Sequence, residues 1–378
     1  MKIVADENIP YAREAFDALG EVVTVKGREL TREQLVDAEV LLVRSVTKVR
    51  ADLLDGTCVR FVGTATIGTD HVDTGLLADR GIAFTSAPGS NANSVSEYVV
   101  AALLTLGQRD GFELAGKTLG VVGVGNVGRR VVAKARTLGL RVLQNDPPRA
   151  RAEGAEGFVE LDRVLDESDF VTVHVPLTPD GPEATLRLIA SSELSRLKPT
   201  AYLLNTSRGP VVAGDDLLAA LRDGRIAGAV LDVWENEPAI DANLLQAVAI
   251  GTPHIAGYSF DGKVNATVML YDAVCDLLDR PPTWRPDLPG APVPEVTLDA
   301  TARTPQEQLH AAVTAVYAIE SDDARLREML TLPPADRAAH FDRLRKTYPI
   351  RREFTNTHVH APADSATTDT LRGLGFCV

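Results

Sequence analysis

Cysteine is scarce in this chain. Cys58, Cys275 and Cys377 are the only three, an odd count without metal-ligand spacing. That excludes a disulfide framework, leaves no cysteine metal site to expect, and fits a reducing compartment, the cytoplasm. Basic charge is also in deficit: 39 Lys and Arg face 52 Asp and Glu, a formal net charge of −13. Nucleic acid and anionic membrane surfaces reward basic proteins, so neither is expected as a partner. Long apolar runs are missing too. The longest, Val99 to Gly107, is about half of what a bilayer requires. The chain opens directly on Lys2-Ile3-Val4-Ala5-Asp6, a strand pattern without the marks of a signal peptide.

What is present describes a globular α/β protein. Its 378 residues exceed one ordinary core, and a prior of about 150 residues per domain predicts two or three. Short apolar runs at Ile3 to Ala5, Glu21 to Val25, Val40 to Val43, Phe61 to Ala65 and Ile82 to Phe84 alternate with helical patterns. That alternation predicts a parallel sheet covered by helices. Polar residues follow the runs: Asp6 and Asn8, Arg44 and Ser45, Thr66 and Thr69. Ligands of open α/β sheets bind at the carboxyl ends of strands, so this first domain is expected to hold a small molecule. From Asn93 to Arg109 a helix is predicted to cross into a second domain, started by a Ser94 to Glu97 capping pattern.

The second domain begins with the strand Thr118 to Val122 and the loop Gly123-Val124-Gly125-Asn126-Val127-Gly128. The first glycine allows a tight turn, the second a close approach of backbone to pyrophosphate, and the third close packing of the following helix. Asp146 closes the next strand, Arg141 to Asn145, eighteen residues past Gly128. A carboxylate there accepts hydrogen bonds from a ribose diol and repels a 2′-phosphate, which predicts NAD as cofactor; Arg149 is near enough to weaken that preference. Strands at Phe170 to Val175, Ala201 to Asn205 and Ala227 to Val233 continue the sheet. Val264 to Leu278 is predicted to return to the first domain. Six prolines between Pro281 and Pro294 read as a linker, and Thr304 to Leu332 as one helix.

Three polar residues follow late strands: Arg208, Glu237 and His254. Oxidising an alcohol carbon needs a base for the hydroxyl proton, and histidine titrates near working pH. A carboxylate beside it fixes one ring orientation and favours the imidazolium. An arginine fork binds a substrate carboxylate in two places.

The glycine loop, Asn205-Thr206-Ser207-Arg208-Gly209, Leu231 to Pro238 and Pro253-His254-Ile255-Ala256-Gly257 together resemble the D-isomer-specific 2-hydroxyacid dehydrogenases, in order and spacing, over residues 1 to about 280. Finer segments resemble a branch of that family acting on a small phosphorylated hydroxyacid: Ile3 to Pro10, Val43 to Thr47, Gly63 to His71, Tyr258-Ser259 and Tyr348 to Phe354. Ser90 departs from it, standing where cysteine is expected.

The resemblance implies two Rossmann-like, doubly wound parallel-sheet domains and a small C-terminal α+β domain that makes a homodimer. The first comprises 1–93 and 257–280, the NAD domain 94–256, and the last 281–378. It makes Arg208, Glu237 and His254 catalytic, and places Ser45, Thr66 and Tyr258 on the substrate, with Arg44 the cation expected for its phosphate. On NAD it places Gly123, Gly125, Asn126, Val127, Gly128, Asp146, Thr206, Ser207, Asp232 and Gly257. One of Arg345, Lys346, Arg351 or Arg352 is expected to reach a neighbouring subunit's pocket. A dehydrogenase of another acid, such as 3-phosphoglycerate, and a low-turnover NAD(H)-sensing protein stay open as alternatives.

Overall fold

The computed structural model describes residues 1–298, 304–360 and 365–378, the side chain of Ser365 excepted. Of the segment 281–378, residues 299–303 and 361–364 therefore lie outside the described residues. The chain divides into two compact units, Met1–Asn91 with Ser259–Pro289, and Ala92–Tyr258 with Gly290–Val378.

The first unit is built on β1 (Lys2–Asp6), β2 (Glu21–Val25), β3 (Val40–Val43), β4 (Phe61–Thr64) and β5 (Ala83–Thr85). All pair in parallel in the order β2-β1-β3-β4-β5. Every residue of β3 and β4 is buried, as expected where helices cover both faces of a parallel sheet. The strand order reverses between β1 and β3, the point of an open α/β sheet at whose carboxyl ends ligands bind. The helix Phe260–Leu277 closes the unit: Ala266, Leu270, Tyr271 and Val274 share one core with Ile3, Ala5, Val40, Leu42 and Phe61. Ser259 starts that helix, its Oγ accepting from the Gly262 N–H at 2.9 Å. The proline-rich stretch begins pinned to this unit, because the Thr283 and Trp284 N–H groups both donate to the Tyr271 hydroxyl at 3.2 Å.

In the second unit β6 (Thr118–Val122), β7 (Arg141–Asn145), β8 (Phe170–Val173), β9 (Tyr202–Asn205), β10 (Gly228–Leu231) and β11 (Ile250–Gly251) form a parallel sheet, ordered β11-β10-β9-β8-β6-β7. Its reversal point lies between β6 and β8, beside the glycine loop. β11 has only two residues, too few for any periodicity to announce it.

The helix Ala92–Asp110 belongs to this unit and is buried on every side as far as Gly107, apart from Asn93. A helix apolar all round is a core helix, and helices from both ends of the unit cover it: Leu309, Ala312 and Val313 of Pro305–Val316 and Val131, Val132 and Ala135 of Gly128–Thr137 share its core. The capping pattern expected at Ser94 and Glu97 is not one. Both side chains lie inside the helix and reach outward, Ser94 Oγ donating to the Ala256 carbonyl at 2.7 Å and Glu97 accepting from Arg351.

The C-terminal segment is α+β. β12 (Glu295–Thr297) pairs in parallel with β13 (His358–His360), among the helices Pro305–Val316, Ile319–Arg327, Pro334–Lys346 and Ser365–Leu374. The single helix expected from Thr304 to Leu332 is broken at Tyr317 and Ala318, which leave helical geometry. Tyr317 is buried between Tyr98 and the Arg351 guanidinium, 4.1 Å from its ring centroid, and that packing outweighs helical continuity.

Candidate active site

The glycine loop has the geometry that a dinucleotide needs. Gly123 sits at φ +85°, a left-handed conformation open to glycine, and its N–H donates to the Asn145 carbonyl at 2.8 Å. A Cβ on Gly128 would lie 2.1 Å from the Gly123 oxygen, so the helix Gly128–Thr137 starts hard against the turn. A Cβ on Gly125 would meet nothing within 4 Å. The loop thus offers open backbone beside a helix N-terminus, which suits a pyrophosphate. Asn126, next to Val127 at the helix start, holds Arg130, whose Nη1 donates to its carbonyl at 2.8 Å.

Asp146 follows β7. Its Oδ2 accepts from the Val124 N–H at 2.7 Å and its Oδ1 from the Arg149 N–H at 3.1 Å, so one carboxylate ties the loop to the end of the next strand. Arg149, near enough to act on Asp146, is also engaged by Glu153, which binds both arms of its fork at 2.8 and 2.6 Å, while Nη1 donates to the Val124 carbonyl.

After β9, Asn205 organises the turn. Its Oδ1 accepts from the N–H and Oγ of Ser207, and its Nδ2 donates to the Arg208 carbonyl at 2.9 Å. Thr206 Oγ1 meets His174 Nδ1 at 3.1 Å, and Thr172 Oγ1 meets the other ring nitrogen at 3.0 Å. Burial drives the His174 pKa down to about 3, so the ring is a neutral bridge between β8 and the turn. Arg208 Nη1 donates to the Ser207 carbonyl at 2.8 Å. A Cβ on Gly209 would fall 2.0 Å from the Trp234 carbonyl carbon; only glycine lets the Arg208 turn touch the loop that carries Glu237.

Glu237 and His254 form the reactive pair. His254 Nδ1 lies 2.7 Å from Glu237 Oε2, while Glu237 Oε1 accepts from the Trp234 N–H at 2.8 Å. Burial opposes ionisation of Glu237, yet His254, their hydrogen bond, the Trp234 N–H and Arg345 together hold its carboxyl below the ordinary value. The ring is one-third exposed, open to a reactant. His254 sits at φ +58°, an uncommon conformation for a residue bearing a Cβ, and such strain persists where surrounding structure enforces it. The enforcement comes from Asp232. Its carbonyl accepts from the His254 N–H at 2.7 Å, its Oδ1 from the Ile255 N–H and the Thr252 hydroxyl, both at 2.7 Å, and its Oδ2 from the Ala256 N–H at 3.0 Å. Tyr98 backs this arrangement through Thr252 at 2.8 Å. Asp232 is 1% exposed, and burial pushes its carboxyl up against the pull of His254 and these donors. It anchors the histidine loop, in addition to the NAD contact expected of it. Gly257 ends the loop, half-buried, before Tyr258.

Tyr258 is held by the C-terminal segment. Its ring packs edge-on against Tyr348, centroids 5.9 Å apart, and the Arg345 guanidinium carbon lies 5.7 Å from its centroid. Of Arg345, Lys346, Arg351 and Arg352, one of which is expected from the sequence to reach a neighbouring subunit's pocket, three have neighbours in their own chain. The C-terminal segment packs within the cofactor unit of its own chain, so Arg345 faces that chain's Tyr258 and Glu237, and Arg351 is buried against Glu97 at 3.1 Å. Arg352 donates to Asn356 at 2.6 Å and is buried as well.

The residues expected on the substrate from the first unit are placed as follows. Arg44 Nη1 donates to the Asn8 carbonyl at 3.2 Å, and Ser45 beside it is exposed. Thr66 Oγ1 donates to the Gly68 carbonyl at 2.9 Å and meets Thr64 Oγ1 at 2.8 Å; Thr64 in turn meets His71 Nε2. Sequence reasoning gave no role to His174, Trp234 or Thr252. His174 was open to discovery as a polar residue just past β8, whereas nothing in the spacing of Arg345 announces Glu237.

With this geometry in view, the similarities to known proteins are decisive. Residues 92–256 match the D-isomer specific 2-hydroxyacid dehydrogenase NAD binding domain, and residues 288–375 a domain of unknown function (DUF3410). The chain is 49% identical to erythronate-4-phosphate dehydrogenase of Salinibacter ruber, over 98% of each chain, and 46% identical to that of Cronobacter sakazakii, over 100% of this chain and 98% of the other. The chain belongs to the erythronate-4-phosphate dehydrogenase family. Among solved structures, D-lactate dehydrogenase of Aquifex aeolicus, complexed with NAD and lactic acid, is 27% identical with a TM-score of 0.63, covering 73% of this chain and 95% of its own. The NAD-dependent formate dehydrogenase of Staphylococcus aureus is 26% identical with a TM-score of 0.60, covering 74% and 95%. Membership makes the chain an NAD-dependent dehydrogenase with two Rossmann-like sheets, and the glycine loop and Asp146 fit that cofactor. No helix among the described residues is long and apolar enough to cross a membrane.

Proposed function

We propose that this chain oxidises 4-phospho-D-erythronate at C2 to 3-hydroxy-2-oxo-4-phosphooxybutanoate, a step of pyridoxal 5′-phosphate (vitamin B6) biosynthesis. The observation that carries the reading is the His254–Glu237 pair, 2.7 Å apart in the NAD-binding unit of a chain whose relatives bear that enzyme's name. His254 Nε2, the nitrogen that Glu237 leaves open, takes the C2 hydroxyl proton. NAD, when bound, accepts the hydride that leaves C2 as the carbon–oxygen bond becomes a carbonyl. Glu237 stabilises the imidazolium that remains and holds the ring in one orientation. Arg208 binds the substrate carboxylate through its fork, and the carboxylate thereby fixes which face of C2 is presented. Tyr258, Arg44, Ser45 and Thr66 are further substrate contacts, on the likeness of their segments to the family. Thr206, Ser207, Asp232 and Gly257 join the glycine loop and Asp146 in holding the cofactor.

The test is NADH formation by purified protein with 4-phosphoerythronate and NAD, beside a panel of phosphorylated and unphosphorylated 2-hydroxyacids. Turnover of 3-phosphoglycerate in place of 4-phosphoerythronate would replace the substrate, and no turnover on any member would end the reading. A homodimer through the segment 290–378 is part of the same reading, on the likeness to the family, and the segment exposes a large apolar side chain, Ile350, 52% accessible. Sedimentation of the purified chain decides that. Free cysteines at 58, 275 and 377 agree with a cytoplasmic location.

A further inference from the structure

Arg345 lies in the last turn of the helix Pro334–Lys346 and, among the described residues, is the one arginine of the C-terminal segment that acts on Glu237 of the reactive pair. It lies over Tyr258 and acts electrostatically on Tyr258, Glu237 and Asp232. Yet it has no ion-pair partner among the described residues, and its Nε proton is buried without an acceptor. Glu237 does not supply one, since its two oxygens serve His254 and the Trp234 N–H. Glu237 and Asp232 favour its charge and Tyr258 gives it a side-chain hydrogen bond, but no carboxylate among the described residues pairs with it directly, so its fork is left to take an anion. A substrate carrying a phosphate brings one, and the guanidinium fork fits phosphate geometry.

The distribution of the segment agrees. D-lactate dehydrogenase and formate dehydrogenase cover only about three-quarters of this chain while spanning nearly all of themselves. Relatives named for a phosphorylated acid span the whole of it, including the segment matched separately at 288–375.

We propose that Arg345, brought to the reactive pair by the C-terminal segment, binds the substrate's phosphate and makes the site selective for a phosphorylated 2-hydroxyacid. This rests on the dehydrogenase reading above. Arg345→Gln and Arg345→Lys are compared with the wild type on 4-phosphoerythronate and on erythronate, with inorganic phosphate as inhibitor and NAD binding followed by protein fluorescence. Arg345→Gln raises KM for 4-phosphoerythronate about 10- to 100-fold, the scale of one lost charge-assisted contact. It weakens phosphate inhibition to a similar degree and leaves NAD affinity unchanged, while kcat/KM on erythronate falls far less than on 4-phosphoerythronate, by the share that Arg345 contributes to Glu237 alone. Arg345→Lys recovers part of the loss. Equal losses on both substrates, or unchanged KM and phosphate inhibition, overturn the proposal. Should the wild type oxidise some other acid, the function proposed above falls, while phosphate inhibition of that turnover still decides Arg345.

Discussion

His254 Nδ1 and Glu237 Oε2 stand 2.7 Å apart, and the Trp234 N–H holds the other carboxylate oxygen at 2.8 Å, so the carboxylate is oriented from both ends before any substrate arrives. Proton transfer by a positioned side chain contributes about 10²- to 10⁴-fold in rate. His254→Ala is expected to lose that much in kcat or more while NAD affinity stays at the wild-type value. Glu237→Gln keeps the shape but loses the charge that favours the imidazolium, and should cost less than His254→Ala. NADH formation measured alongside NAD titration checks both, and wild-type turnover in His254→Ala counts against the assignment.

The same pair predicts how stability depends on pH. The carboxyl of Glu237 is held below its ordinary value in the folded chain: burial works against that, and His254 with the hydrogen-bond donors outweighs it. Lowering a carboxyl pKa on folding stabilises the folded state above the ordinary glutamate value, about 4.3, and the contribution disappears as pH falls through the lowered value. The stability difference between wild type and Glu237→Gln should therefore be largest near neutrality and shrink toward acid. Urea denaturation of both across that range measures it; a difference that grows on acidification would contradict the sign.

How much of this was legible beforehand follows from what each feature depends on. β2, β3, β6 and β7 carry local apolar runs, and their bounds match the runs residue for residue. The glycine loop was legible because each glycine answers a local backbone demand. The break at Tyr317 was not, since it depends on Tyr98 and Arg351, both remote in sequence. Ser94 and Glu97 imitate a capping box in spacing alone; their partners, Ala256 and Arg351, lie more than 150 residues away. In the sequence Arg345 is one basic residue among several; only the packing of its helix within the cofactor unit gives it Tyr258 and Glu237 as neighbours.

Asp146 bridges Val124 and Arg149 through backbone N–H groups, while the Arg149 fork is engaged by Glu153. Asp146 therefore keeps a carboxylate at the end of β7, with Arg149 shared between it and Glu153. Asp146→Ser removes the carboxylate and keeps a residue able to cap the helix Pro147–Glu153. The ratio of kcat/KM for NAD over NADP is expected to fall on the order of 10- to 100-fold, the scale set by one unit charge at a partly solvated site. Steady-state kinetics with both cofactors checks this, and an unchanged ratio would mean that selectivity lies elsewhere.

Asp232 provides the sharpest separation between building the site and reacting in it. Its carboxylate accepts from Ile255, Ala256 and Thr252, and its carbonyl from His254, so the left-handed conformation of His254 depends on a residue that the solvent does not reach. Asp232→Asn is nearly isosteric but turns one acceptor into an NH₂ donor facing donors. One of the loop N–H groups then loses its partner in a buried place, at a cost of about 1–3 kcal/mol. Denaturant unfolding should show a loss of that size. The turnover should fall with it, because His254 is released from the position that brings Nδ1 onto Glu237. An Asp232→Asn protein of wild-type stability and turnover would show that the loop holds itself, leaving the strain at His254 without its anchor.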